Sequence, residues 1–151
     1  MTLTGSEQET EELGRRLAGT LSATDVVFLF GGLGAGKTCL ARGVARGLGA
    51  SAREVASPTF SLLHEYAGKD GGIVLRHLDL YRLEDSSRDL QVLGLPGAVE
   101  GAPILVEWPG SAIRRVLPPT VEVRLEVLPD ERRRIAIDRL SDGSAAGAGP
   151  T

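Results

Sequence analysis

The chain of 151 residues holds one cysteine, Cys39, two lysines, Lys37 and Lys69, and no asparagine. A lone cysteine excludes an internal disulfide framework and any zinc cluster built on cysteine, and leaves its thiol to packing. With no asparagine and no Thr-Lys pair, the Asn/Thr-Lys-x-Asp element by which GTPases read guanine is missing. Aromatic residues make up only 4% of the chain, and no apolar run approaches the length needed to cross a bilayer. Met1 to Glu12 is polar and acidic, unlike the basic and then apolar start of a secretory signal, so a cytoplasmic protein with no membrane partner is expected. Basic residues are outnumbered 17 to 20 by acidic ones, a net charge of −3, so the surface as a whole is poorly suited to holding free nucleic acid. The clusters Arg114-Arg115 and Arg132-Arg133-Arg134 read as solvated faces or turn ends.

What is present describes one globular domain over residues 1–140, followed by a frayed tail, 141–151, with no large apolar residue to anchor it. Ser6 and Glu9 have capping-box spacing, and Leu13, Leu17 and Leu21 recur along one face, which predicts a helix from Ser6 to Leu21. Val26 to Phe30 is a short continuous apolar run, as suits a strand covered on both faces in a parallel sheet. Leu40, Val44 and Leu48 form a second helical ladder that stops at Gly49. Ile73 to Leu80 and Ile104 to Val106 are two further apolar strands, with Asp79 and Glu107 at their ends. From Val121 to Val127 apolar and charged residues alternate, Pro129 to Glu131 reads as a turn, and Ile135 and Ile137 continue an antiparallel return. The expected fold is therefore α/β: a mixed, mostly parallel central sheet flanked by helices, with a C-terminal antiparallel hairpin.

Between the first strand and the second helix lies Gly31-Gly32-Leu33-Gly34-Ala35-Gly36-Lys37-Thr38, a complete G-x-x-x-x-G-K-[ST] P-loop in its required strand-to-helix setting. Glycines there let successive N–H groups point inward and make an anion cradle completed by the helix amino terminus. Lys37 would reach the β- and γ-phosphates of a nucleotide, and the Thr38 hydroxyl suits Mg²⁺, a hard cation that prefers oxygen. Asp79 and Glu107 are the acids placed to complete a metal site or orient an attacking water, because ligands in open α/β sheets sit beyond the carboxyl ends of the strands. His64 and His77 receive no role on this reading, and Tyr66 and Tyr81 read as core or rim residues, Tyr81 with a small further claim because it stands two residues after Asp79. A small-molecule kinase is the alternative to an ATP hydrolase. It would need a lid and an acceptor pocket, yet only twenty residues separate Leu83 from Ile104, with Arg88 their single arginine.

Four segments in order, Leu33-Gly-Ala-Gly-Lys-Thr38, Ser57-Pro-Thr-Phe60, Leu78-Asp-Leu-Tyr-Arg-Leu83 and Val106-Glu-Trp-Pro109, resemble the TsaE (YjeE) family of tRNA threonylcarbamoyladenosine biosynthesis proteins. The likeness runs from about Glu7 to Ile137. It implies an ATPase, weak by itself, that uses ATP and Mg²⁺ and works with TsaB and TsaD in modifying adenosine 37 of tRNAs reading ANN codons, meeting tRNA only through that complex. It also implies that Leu33, Gly34, Ala35, Gly36, Lys37 and Thr38 hold the phosphates and that Thr38 and Glu107 contact the metal. Asp79 would be the Walker-B-like acid, Ser57 to Thr59 a switch-like loop, Trp108 a neighbour of the nucleotide, and Glu7 to Thr10 a segment near its base. Gly32 and Cys39 depart from the family pattern, which commonly has Asp and Thr or Ser there.

Overall fold

The computed structural model describes residues 1–55, 63–81, 95 and 100–140, with backbone only at 52–55. Ser57 to Phe60, Arg82, Leu83, Arg88 and the tail 141–151 lie outside the described residues. The elements run β1 (Thr2–Thr4), α1 (Glu7–Ala18), β2 (Val26–Phe30), α2 (Lys37–Gly47), β3 (Ala50–Val55), β4 (Leu63–Gly68), β5 (Ile73–Asp79), β6 (Ile104–Glu107), α3 (Ser111–Val116), β7 (Val121–Val127) and β8 (Arg133–Arg139). All eight strands join one sheet in the order β1-β8-β7-β2-β6-β5-β4-β3. Its centre, β7-β2-β6-β5, is parallel, and both flanks are antiparallel, as a mixed sheet ending in the β7–β8 hairpin requires. No helix among the described residues is long and apolar enough to cross a membrane.

Alternation along the strands splits the core in two. Val27 and Leu29 on β2, Leu75 on β5, Leu105 on β6 and Val123 on β7 face α1 and α2, where they meet Leu13, Leu17, Leu40 and Val44. Phe28, Leu78, Ile104 and Val106 point the other way, towards Ile113 of α3. Both faces of β2 are thus covered, which is why its sequence is continuously apolar.

Helix α1 begins as its spacing predicts: Glu9 N donates to Ser6 Oγ at 3.1 Å, while the Glu9 carboxylate accepts from Gly5 N at 2.8 Å. It ends at Ala18 and not at Leu21, because Gly19 N and Thr20 N close tighter turns on Arg16 O and Leu17 O, and the Thr20 hydroxyl also donates to Leu17 O. At the amino end of β2, buried Asp25 accepts hydrogen bonds from Ser22 N, Thr120 Oγ1 and Arg139, joining α1's exit to β7 and β8. Burial raises its pKa, but the hydrogen bonds and the Arg139 charge outweigh this and hold it at about 2.

Helices α1 and α2 meet through glycine. A Cβ on Gly43 would lie 1.9 Å from Glu11 O, and one on Gly14 2.3 Å from Leu40 O, so the backbones pack at a distance no larger residue allows. Gly43→Ala would gain about 1 kcal/mol of helix propensity, yet overpacking against a rigid carbonyl costs about 3 kcal/mol. The clash wins, and the variant is expected to unfold at distinctly lower denaturant concentration than wild type. An equal or higher midpoint would show that the helices separate freely.

Candidate active site

The loop that joins β2 to α2 turns through Gly34 and Gly36, whose φ values of 79° and 105° lie in the left-handed region that glycine reaches without strain. Gly31 serves a different need: a Cβ there would come within 2.9 Å of Leu125 O on the neighbouring strand. Gly36 offers no capping side chain to α2 and the helix's first turn carries no acidic residue, so the chain itself leaves the positive end of the helix uncompensated.

Lys37, only 5% exposed, folds back over this loop. Its Nζ donates to Gly31 O at 2.7 Å and lies 3.4 Å from the centre of the Trp108 ring. Burial pushes the amine below its usual pKa, and the charges of Glu107 and Asp79 oppose that shift. The Thr38 side chain, next in the helix, is exposed.

Parallel pairing of β5 with β6 sets Asp79 directly opposite Glu107, so two carboxylates stand side by side where the two strands end. They share the α1–α2 face of the sheet because Leu75, His77 and Asp79 alternate onto it from β5, as Leu105 and Glu107 do from β6. Asp79 accepts from Tyr81 N at 3.0 Å. Glu107 is buried, which by itself would raise its pKa, but a hydrogen bond from His77 at 2.5 Å and the charges of His77 and Lys37 bring it below the usual glutamate range. The strand then breaks at Trp108, a non-glycine residue at φ 57°, a turn that brings the indole over Lys37 and to 4.9 Å from the Tyr81 ring.

These groups surround one cavity of about 670 Å³, a size suited to a nucleotide-sized ligand. Leu33, Gly34, Gly36, Lys37, Thr38, Glu7, Asp79, Glu107 and Trp108 all line it. Ala35 does not: its side chain is buried in the core behind the loop, and its N–H closes a turn onto Gly32 O. Among the described residues no three His, Cys, Asp or Glu side chains gather into a metal cage. Two carboxylates and one hydroxyl offer only oxygen donors, without the His or Cys ligands usual at zinc, and such a set would suit Mg²⁺, which binds through one or two carboxylates and keeps several waters.

Several lining residues escape a linear reading. Thr4 brings β1 to the rim through a hydroxyl–hydroxyl bond of 2.7 Å to Thr10, which ends the Glu7 to Thr10 segment that the resemblance implies near the base. Val127 ends the alternation of β7 exposed at the cavity mouth instead of buried. Of the expected surface cluster, Arg132 pairs with Asp130 and Arg134 with Glu126, whereas Arg133 turns inward and donates to Gly34 O of the phosphate loop at 3.2 Å and to Glu131 O. Arg114, also expected to be solvated, bonds Glu122 at 2.8 Å and lies over the Phe28 ring. His77 was legible only as an isolated histidine beside a strand; no signal in the sequence ties it to Glu107, thirty residues on.

Residues 4–135 match the model of the family described as threonylcarbamoyl adenosine biosynthesis protein TsaE. The chain is similar to proteins of that name from Rickettsia felis (38% identity over 91% of this chain and 78% of the relative), Bacillus subtilis (39% over 92% and 77%) and Streptomyces coelicolor (40% over 85% and 78%). Its fold is similar to the crystal structure of Bacillus subtilis YdiB, with a TM-score of 0.66 at 27% identity over 99% of this chain and 92% of that one. With a matched segment that runs from the first strand into the last and takes in every element lining the cavity, the chain belongs to the TsaE family and so to threonylcarbamoyl adenosine biosynthesis for tRNA.

Proposed function

We propose that this chain serves threonylcarbamoyl adenosine biosynthesis as a magnesium-dependent ATPase, slow alone and working with TsaB and TsaD in the cytoplasm on adenosine 37 of tRNAs reading ANN codons. The observation that carries the reading is the convergence of a cationic phosphate loop and two adjacent carboxylates on a single cavity. The loop N–H groups and the amino end of α2 would donate to phosphate oxygens, and Lys37 would exchange the Gly31 carbonyl for the β- and γ-phosphates. Thr38 and Glu107 would hold Mg²⁺, with Asp79 beside them as the acid that orients water. Bound Mg²⁺ supplies charge neutralisation to the phosphoryl group being transferred. Trp108 and Glu7 would flank the nucleotide.

The acidic balance and the two lysines support an indirect contact with tRNA, since tRNA affinity rests largely on phosphate neutralisation by clustered Lys and Arg. Binding of the purified chain to TsaB–TsaD, measured with ATP, with ADP and with neither, and binding to tRNA alone, test the reading. Partner affinity is expected to change with nucleotide state, and tRNA binding to be weak. Equal partner affinity in all three states, or tight and salt-sensitive binding to free tRNA, would count against it.

A further inference from the structure

Glu107 carries three side-chain torsions, and a carboxylate that must meet a metal in one orientation gains from a partner that removes that freedom. The sheet supplies one. His77 stands opposite Leu105 in the β5–β6 pairing, two residue pairs below the Asp79–Glu107 pair and so on the same face, with its ring under the Glu107 carboxylate. Its Nε2 is 2.5 Å from Glu107 Oε2, and the two side chains are only 12% and 9% exposed. Against a carboxylate, which only accepts, Nε2 must be the donor. On the other side of β5, His64 of β4 is the cross-strand partner of His77, with ring centres 6.5 Å apart, so the imidazole is flanked on both sides.

We propose that His77 is a positioning residue of the metal site: by donating from Nε2 to Oε2 it holds the Glu107 carboxylate in the one orientation from which its other oxygen serves Mg²⁺. The inference rests on the reading of Glu107 as a magnesium ligand. An alternative in which the pair only stabilises the core predicts lower stability and no selective effect on magnesium, so the two are separable.

The measurement is the affinity of the full chain for a non-hydrolysable ATP analogue, by calorimetry, with Mg²⁺ and with EDTA. Wild type is expected to bind more tightly with Mg²⁺. His77→Ala should lose about tenfold of that gain while keeping its affinity in EDTA, and His77→Gln, whose amide can reach a similar place as a donor, should recover most of it. If the alanine variant does not fold, His77→Leu, which fills the space without a donor, takes its place beside His77→Gln. A wild-type magnesium gain in the variant without a donor, an equal loss with and without Mg²⁺, or a glutamine variant no better than the one without a donor would overturn the proposal. A wild type that binds the analogue with no magnesium gain would instead overturn the assignment of the metal site itself, and the role of His77 with it.

Discussion

Lys37→Ala is expected to lower ATP affinity roughly 30- to 150-fold, the equivalent of about 2–3 kcal/mol for a charge-assisted hydrogen bond to phosphate. Lys37 is the lysine of the phosphate loop, and the chain's other lysine, Lys69, lies in the turn after β4. The same substitution should cost the fold little. The buried amine already bears a desolvation penalty that depresses its pKa, and its present partners, the Gly31 carbonyl and the Trp108 face, are weaker than a phosphate. Calorimetric affinity and a thermal midpoint on the same preparation separate the two effects. Lys37→Arg should rescue poorly, because the longer side chain and broad guanidinium replace the compact point charge that Lys37 places 2.7 Å from the Gly31 carbonyl inside the loop. Wild-type affinity in Lys37→Ala would remove the P-loop reading altogether.

Glu107→Gln should reduce magnesium-dependent ATP hydrolysis in the presence of TsaB–TsaD by about 100-fold or more, since one amide oxygen is a poor substitute for a carboxylate at a hard cation. Nucleotide affinity in EDTA should barely change, because on the proposed reading the phosphates would be held by the loop and by α2. Asp79→Asn should be similarly damaging to turnover. Its carboxylate also accepts from Tyr81 N, a bond an amide oxygen can still accept, so the local turn survives and the loss reads as chemistry. Phosphate release and tryptophan-independent binding measurements suffice to check both. If both variants retained full turnover in the complex, the carboxylate pair would not be the metal site.

The phosphate loop and its flanking elements were fully legible because everything that defines them is contiguous. A run of apolar residues, glycines at the positions of φ 79° and 105°, and a Lys-Thr pair opening a helix all fall within Val26 to Leu48. The same holds for the capped start of α1 and for the alternating β7–β8 hairpin, whose pairing partners are neighbours in the chain. The short strand β1 and helix α3, and the strands β3 and β4, carry no comparable local signal. β1 exists as a strand by pairing with β8, from Thr2 to Ile135, and β4 by pairing with β5 across a register shift. Contacts of that kind are decided by what the rest of the sheet offers, not by local periodicity.

The site divides in the same way. The residue types gathered at the cavity, a glycine-rich loop with one amine and two acids at strand ends, followed from residue type and spacing, because such groups are covalently close to the loop or strand that presents them. Which side chains support them did not. Strand order β5-β6-β2 brings Asp79 and Glu107 to the P-loop side of one face, the β5–β6 register sets His77 beneath Glu107, and the β7–β8 turn carries Arg133 to the Gly34 carbonyl. Each of these contacts joins residues 28 or more positions apart, and only the folded sheet, through its strand order and the two-residue period that assigns every side chain to a face, determines which of them meet.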